Sequence, residues 1–159
     1  MSQLAAGAAA RAALSSPRDS DRMGGDWAVV LEEVPIFRNL SRRHLKHVAS
    51  LAHKRRYGHG TSIVRAGDSG SAFYVLLDGT VRVIPPTGRP RKLKAGDFFG
   101  EMALLDDSPR SANVVADGEV LTMTISRSAF SKLLKHEPAL AYELLRTLAG
   151  RLRAAEKSV

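Results

Sequence analysis

The stretch between Tyr57 and Ile125 constrains the fold of this 159-residue chain more than any other part of it. Short runs of β-branched and aromatic residues alternate there with turn signals made of Gly, Asp and Pro. The predicted strands are residues 62–64, 73–77, 81–84, 114–115 and 120–125. The intervals between them leave no room for the helical crossovers that parallel strands require. The stretch therefore predicts a mainly antiparallel sheet that closes as a β jelly roll or barrel.

One turn signal in this stretch is especially strong. Asp78-Gly79 separates two apolar runs, and a two-residue Asp-Gly connection is typical of tight hairpins. We therefore predict a hairpin at this position, with one strand before it and a second strand after it.

Helical patterns precede the predicted strands. Residues 27–31 predict a short helix that ends before Pro35, since a residue that precedes proline disfavours the helical conformation. Ser41 predicts the N-cap of a second helix, because Ser side chains accept a hydrogen bond from the first free amides. The apolar residues of that helix recur at helical spacing, at Leu45, Val48, Ala49 and Ala52.

Helical patterns also follow the strands. Ser126 or Ser128 predicts the cap of a short helix that carries apolar residues at 130, 133 and 134. Pro138 suits the first turn of a longer helix that continues to about Lys157. The apolar residues of the longer helix follow a 4-3-4-3 spacing, at Ala141, Leu145, Leu148, Leu152 and Ala155. Packing against the sheet and pairing with a second copy would explain this spacing equally well.

The domain organisation follows from these patterns. Residues 1–25 have few large apolar side chains, so we predict that they form a disordered tail. Residues 26–159 are predicted to form one domain, with N-terminal helices over 27–52, a β-roll over 53–125 and C-terminal helices over 126–157. No apolar run approaches the ~18–20 residues of a membrane-spanning helix, so no spanning segment is expected.

Charge and cysteine content restrict the function. The chain has no cysteine, which excludes disulfides, thiolate catalysis and Cys-ligated zinc, and we expect a cytoplasmic protein. The net charge of +8 comes from residues 34–67, which contain eight Lys and Arg and no Asp or Glu. Such a segment suits nucleic acid, anionic lipid or an acidic partner. No aromatic residue interleaves its basic clusters as a base-stacking platform would require, which favours a solvated face.

The segment between Gly96 and Ala116 carries the residues best suited to bind a sugar phosphate. Gly100 permits a close approach of the backbone to a ligand, and the helix-forming residues 101–105 can direct free amides at an anion. Arg110 offers a planar guanidinium that matches a phosphate. Glu101 would repel a phosphate, so we expect its carboxylate to accept a hydrogen bond from a sugar hydroxyl and to lie beside Arg110.

Two motifs resemble the signatures of cyclic nucleotide-binding domains, such as those of catabolite activator proteins, protein kinase A regulatory subunits and cyclic nucleotide-gated channels. The first resembles the phosphate-binding cassette, Phe-Gly-Glu-x-Ala-Leu followed by Arg-[Ser/Thr/Ala]-Ala, and consists of Phe99–Leu104 and Arg110–Ala112. The second is the stretch Ile63-Val-Arg-Ala-Gly-Asp-Ser-Gly-Ser-Ala-Phe-Tyr-Val-Leu-Leu-Asp-Gly79. Both motifs occur in the family's order and spacing, and the resemblance covers residues 27–153.

The resemblance implies that the ligand is a 3′,5′-cyclic nucleotide and that the domain is not an enzyme. Arg110, Ser111 and the amides of Ala103 and Ala112 would contact the phosphate. Glu101 and the Gly100 backbone would hold the ribose 2′-hydroxyl. Val83 would contact the base, and the C-terminal helix would cover the base with Arg151 as the first candidate and Arg146 as the second. The implied ligand-binding residues are Gly100, Glu101, Met102, Ala103, Arg110, Ser111, Ala112, Val83 and Arg151.

The resemblance also favours a ligand and a mode of action. Family members that prefer cGMP often carry Thr where this chain has Ser111, so cAMP is favoured over cGMP. The leading hypothesis is a regulatory sensor, a monomer or homodimer, in which the ligand repositions the C-terminal helix and signals to an unknown protein effector. An interaction or scaffold module of the same fold without a ligand stays open. So does a truncated relative of the transcription regulators, although the chain ends at Val159 without a helix-turn-helix and no sequence-specific DNA binding is expected.

Four histidines suggest a further alternative, a metal-dependent enzyme of the cupin type. Cupins place His and Glu on neighbouring strands, whereas His44 and His47 lie on a predicted helix among arginines, and His53 and His59 flank a basic strand. Neighbouring cations would repel a metal ion. The chain also has no catalytic triad or paired catalytic carboxylates, so we expect neither a metal site nor enzymatic activity.

Overall fold

The computed structural model describes residues 27–157, so the tail predicted over residues 1–25 lies outside the described part. The helices are α1 (Ala28–Leu31), α2 (Arg42–Leu51), α3 (Glu101–Leu105), α4 (Arg127–His136) and α5 (Pro138–Lys157), with a 3-10 turn at Pro35–Phe37. The strands are β1 (Ala52–Tyr57), β2 (Ser62–Val64), β3 (Ala72–Ile84), β4 (Arg91–Lys94), β5 (Phe98–Phe99) and β6 (Asn113–Ser126). None of the described helices has the length and apolar character needed to span a bilayer.

The six strands form an antiparallel sheet, as the sequence predicted. Its order is β1-β6-β3-β4, with β2 paired to β6 and β5 paired to β3. The strands β4 and β5 were not predicted. β4 has a single apolar residue, Leu93, and β5 consists of two residues, so neither shows the alternation that identifies a strand.

The predicted hairpin at Asp78-Gly79 is wrong, because β3 continues through both residues. Its pairing with β6 shifts register on both sides of Asp78, which is typical of a β-bulge. Gly79 has φ 90°, and a Cβ there would lie 2.3 Å from the carbonyl oxygen of Glu119 on β6. The Asp-Gly pair therefore bends a continuous strand, and the connection between β3 and β4 lies in residues 85–90.

The strand β3 separates two clusters of buried side chains, which explains why its first half is apolar without alternation. Phe73, Val75 and Leu77 pack with the flanking helices in the larger cluster. Tyr74 and Leu76 point the other way, into the smaller cluster inside the roll. Both faces of the strand are therefore covered, as a continuous apolar run requires.

The predicted caps are confirmed. Ser41 accepts a hydrogen bond from the amide of His44 at 3.3 Å, and Ser126 accepts one from the amide of Ala129 at 3.3 Å. The helix α2 ends at Leu51, so Ala52, predicted as helical, begins β1 instead.

The C-terminal helix α5 packs on the body of the domain with a different face from the predicted one. Leu140 and Leu144 are buried, and Leu148 packs against the larger cluster. The predicted spacing included Leu145 and Leu152, but these side chains are 66% and 61% exposed. Packing against the domain therefore does not explain the 4-3-4-3 spacing, because only some of the residues in that pattern face the domain.

Candidate functional site

A cavity that is open to solvent lies between the β-roll and α5. Its lining residues come from β2, β3, β4, β5, β6, the cassette and α5: Val64, Val83, Arg91, Phe99, Gly100, Glu101, Met102, Ala103, Arg110, Ser111, Ala112, Val114 and Arg151. All of the ligand-binding residues predicted from the sequence lie along this one cavity. Residues far apart in the chain are thus brought together as the resemblance implies.

Gly100 shapes the floor of the cavity. It has φ 90° and stands at the N-terminus of α3, where the chain turns from β5 into the helix. A Cβ at this position would lie 2.9 Å from Nη1 of Arg110 and 3.0 Å from the carbonyl oxygen of Ala72. The glycine therefore gives the cassette its left-handed turn and leaves space for the arginine.

Arg110 lies at the inner wall of the cavity with 7% of its surface exposed. Its Nη1 donates to the carbonyl oxygen of Gly100 at 2.6 Å, and its Nη2 donates to the carbonyl oxygen of Ala72 at 2.7 Å. The guanidinium also lies 5.9 Å from the centre of the Tyr74 ring. These contacts connect the guanidinium to the cassette turn and to the start of β3.

The charge of Arg110 has no direct counter-ion in the described part of the chain. None of the ion pairs between described residues includes it. Burial lowers the pKa of Arg110 from its ordinary value, and interactions with Tyr74 and Glu101 partly oppose that effect. A buried cation bonded only to neutral carbonyl groups is the arrangement that an anionic ligand would complete.

Glu101 is buried, and its carboxylate forms an ion pair with Arg151 rather than with Arg110. Its Oε1 accepts a hydrogen bond from Nη1 of Arg151 at 3.0 Å. Nη2 of Arg151 donates to the carbonyl oxygen of Phe98 at 3.0 Å, and the guanidinium lies 4.4 Å from the centre of the Phe98 ring. Two backbone carbonyl oxygens hold the Arg110 guanidinium, and the Glu101 carboxylate instead contacts the cation of α5.

Arg151 therefore connects α5 to the cassette. Burial lowers the pKa of Arg151, while Glu101 raises it. The other candidate for the lid, Arg146, is exposed and lies 5.9 Å from the centre of the Tyr142 ring on the outer side of the helix. Of the two arginines, only Arg151 lines the cavity.

Arg127 supports the cassette from the opposite side. It is the first residue of α4, and its Nε donates to the carbonyl oxygen of Gly70 at 2.9 Å. Its Nη2 donates to the carbonyl oxygen of Ala103 at 3.1 Å, and its Nη1 contacts Oδ1 of Asp107 at 2.7 Å. One side chain thus joins the loop before β3, the helix α3 and the loop that follows it. Arg127 was not among the site residues predicted from the sequence.

Three of the four lining residues that were not predicted form one row with Val83. Val64 pairs with Val114, Val114 pairs with Val83, and Val83 pairs with Arg91. The fourth, Phe99, stacks on Tyr74 with ring centres 4.9 Å apart. If the strand register had been known, Val83 would have identified the other three residues of the row as cavity-lining residues. The pairing of strands far apart in the chain could not be read from the sequence.

The cassette side chains divide between the interior and the cavity. Phe98, Phe99 and Leu104 are buried, consistent with the packing role that their apolar character suggests. Met102 is 55% exposed and lines the cavity. Ser111 is exposed at the cavity, where its hydroxyl is available to a ligand.

The histidines on α2 contact a carboxylate. Nδ1 of His44 and Nδ1 of His47 lie 3.2 and 3.5 Å from the two carboxylate oxygens of Glu137, between α4 and α5. Within residues 27–157, no group of three or more His, Cys, Asp or Glu side chains is arranged to hold a metal ion.

Taken together, the cavity offers a buried cation, a carboxylate and an apolar row. These groups suit a compact ligand that has a single anionic group, a hydroxyl that can donate to Glu101, and a flat apolar part. None of these groups is arranged as a nucleophile with an adjacent base.

Comparisons with known proteins agree with this geometry. The family profile described as "Cyclic nucleotide-binding domain" matches residues 54–137, which is more than half of the chain. The match includes the cassette and α4 and ends before α5.

Individual proteins give the same result. The chain is 42% identical over 106 residues to a cAMP-dependent protein kinase regulatory subunit of Pyricularia oryzae, covering 65% of this chain and 27% of that protein. It is 38% identical over 111 residues to the cGMP-dependent protein kinase egl-4 of Caenorhabditis elegans, covering 65% of this chain and 14% of that protein. The chain thus spans less than a third of the length of these curated relatives.

A solved structure extends the comparison to the fold. The regulatory domain of Toxoplasma gondii PKA with cAMP has a TM-score of 0.69 at 29% identity, covering 79% of this chain and 49% of that chain. This likeness confirms the antiparallel β jelly roll with flanking helices that was predicted from the sequence. On the family match, the cassette and the fold, this chain belongs to the family of cyclic nucleotide-binding domains.

Proposed function

We propose that the domain binds a 3′,5′-cyclic nucleotide, with cAMP preferred over cGMP, and acts as a regulatory sensor rather than an enzyme. The phosphate lies against Arg110 and Ser111, and the ribose 2′-hydroxyl donates to Glu101. The base lies along the row of Val64, Val114 and Val83. Binding is transmitted to a protein effector through α5.

The observation that carries this proposal is the buried, uncompensated charge of Arg110. Removing a guanidinium from water is costly, and two carbonyl groups replace only part of its hydration. A phosphate with one negative charge would supply the missing counter-ion and accept further hydrogen bonds from the planar guanidinium. The position therefore supports an anionic ligand more strongly than a scaffold role without a ligand.

Glu101 supports the choice of a cyclic rather than a linear nucleotide. Its carboxylate can accept a hydroxyl hydrogen, but it repels additional phosphate charge. The cyclic phosphate carries one negative charge, whereas linear AMP carries more charge and a free 3′-hydroxyl. Isothermal calorimetry with cAMP, cGMP and 5′-AMP tests this proposal.

The preference for cAMP rests on Ser111, where family members that prefer cGMP often carry Thr. We predict that Ser111→Thr raises the affinity for cGMP relative to cAMP, because the added methyl group changes the contacts at the cavity edge. A single methyl group changes binding by roughly 1–3 kcal/mol at most, so the shift in the affinity ratio should not exceed about two-hundredfold. Calorimetric titration of both nucleotides into both proteins measures the ratio, and an unchanged ratio would contradict this role of Ser111.

The coupling to α5 rests on the contacts of Arg151 with Glu101 and Phe98. We predict that cAMP slows amide hydrogen exchange across α5 in the wild-type protein and that Arg151→Ala removes this effect. The affinity for cAMP should fall only about three- to tenfold, since Arg151 is one partly exposed contact. Arg146→Ala is the matched control, because its guanidinium lies outside the cavity. Equal cAMP-dependent protection in the Arg151→Ala variant would show that α5 responds by another route.

A further inference from the structure

The outer face of α5 carries a stripe of apolar side chains, while another face of the same helix packs against the body of the domain. Leu140, Leu144 and Leu148 hold the helix against the body of the domain. Tyr142, Leu145, Ala149 and Leu152 lie on the outer face, and the three large side chains among them are 59%, 66% and 61% exposed. Side chains of this size are usually covered when they form a continuous stripe.

The spacing of the stripe specifies the geometry of what covers it. Residues 142, 145, 149 and 152 are separated by three, four and three positions, which is the a–d pattern of a helix that packs against another helix. The pattern ends at Glu156, which occupies the next a position. The stripe therefore matches about two heptads of a partner helix.

Charges beside the stripe specify the chemistry of that helix. In this heptad frame, Arg146 and Arg153 occupy the two e positions, and both are exposed. Residues at e and g form the interhelical ion pairs that set partner choice and orientation. A partner with Glu or Asp at its facing positions would pair with both arginines.

The same positions disfavour a second copy of this chain. In an antiparallel pair the e positions face each other, so Arg146 and Arg153 of the two copies would repel. In a parallel pair each e position faces a g position, and the g residue Leu148 is packed against the chain's own core. Neither arrangement supplies the arginines with an acid.

We propose that the outer face of α5 binds an amphipathic helix of a partner protein that carries acidic residues beside its apolar seam. This surface lies on the helix that Arg151 connects to the cassette, so its role in signalling rests on the proposed function. Binding of the helix itself does not require a nucleotide.

Two synthetic three-heptad peptides test the proposal with the 159-residue chain. Both carry Leu at a and d; one has Glu and the other Lys at the flanking positions. Fluorescence anisotropy should show that the Glu peptide binds at least about tenfold more tightly than the Lys peptide, since like charges at close range oppose association. Leu145→Glu with Leu152→Glu should reduce this binding at least about tenfold.

A charge-reversal pair makes the test specific. Arg146→Glu with Arg153→Glu should reverse the preference, so that the Lys peptide binds more tightly. The control, Lys132→Glu with Lys135→Glu, changes the charge equally on the exposed side of α4 and should leave the preference unchanged. Circular dichroism checks that all variants are folded, which their exposed positions favour.

Three outcomes would overturn the proposal: equal binding of both peptides, Glu-peptide binding that the stripe variants leave unchanged, or a preference that the charge reversal does not alter. Sedimentation velocity tests whether a second copy of the chain covers the stripe instead. If the wild type is a dimer and Leu145→Glu with Leu152→Glu makes it a monomer, the stripe binds a second copy and the partner-helix proposal is refuted. Calorimetry with cAMP on the same samples tests nucleotide binding separately from helix binding. A protein that binds the Glu peptide but no nucleotide would reject the proposed function and support the docking surface.

Discussion

Arg110→Ala is expected to lower the affinity for cAMP at least a hundredfold, about 3 kcal/mol or more, the usual range for removing one partner of a buried charge pair. The guanidinium is the one buried cation that faces the cavity without a carboxylate partner among residues 27–157. Its loss would remove the buried cation against which the cyclic phosphate lies in the proposed complex. Isothermal calorimetry on the wild type and the variant measures the change.

Two further variants separate binding from folding. Arg110→Lys keeps the positive charge but loses the two-pronged geometry of the guanidinium. This variant should therefore stay folded but bind cAMP at least about tenfold more weakly than the wild type. Arg82→Ala removes an exposed arginine of the same sheet, outside the cavity, and should bind as the wild type does. Affinity within a factor of about two of wild type for folded Arg110→Ala would contradict the assignment of the phosphate site.

Gly79→Ala is expected to reduce the free energy of unfolding by about 3 kcal/mol or more, because left-handed backbone strain and a backbone clash act together. The residue has φ 90°, and its Cβ would lie 2.3 Å from the Glu119 carbonyl oxygen and 3.1 Å from Cα of Val120. Both contacts are backbone atoms of the paired strand, so relief requires β3 and β6 to separate. Urea unfolding followed by circular dichroism measures the loss.

Gly118→Ala is the matched control for this prediction. Gly118 lies on the partner strand β6 with φ 88°, but a Cβ there would meet nothing within 4 Å. It should show the backbone strain alone, about 1–2 kcal/mol. Equal losses from the two variants would contradict the close approach of β3 and β6 at the bulge.

The same bulge shows where reasoning from the sequence reaches its limit. Asp78-Gly79 has the local chemistry of a hairpin, because Gly accepts a positive φ in a turn and in a bulge equally well. The choice between them depends on whether a long partner strand is available. β6 pairs with β3 on both sides of the glycine, and that pairing joins residues about forty positions apart.

The candidate site was predictable to the extent that it lies in continuous segments. The segment from Gly100 to Ala112 contains its own backbone turn, helix and arginine, so local chemistry together with the family motif predicted it as a binding segment. Arg91 could not be identified, because it reaches the cavity only through its register with Val83. The pairing of Glu101 with Arg151 in place of Arg110 also depends on where α5 lies in space.

The central claim is that this domain binds a 3′,5′-cyclic nucleotide in the cavity beside Arg110. Titration of cAMP, cGMP and 5′-AMP into the purified 159-residue chain by isothermal calorimetry tests it most directly. The proposed function predicts saturable binding of cAMP at one site per chain, weaker binding of cGMP and no heat of binding from 5′-AMP. Absence of binding by either cyclic nucleotide would contradict the claim and favour an interaction module of the same fold that has no nucleotide ligand.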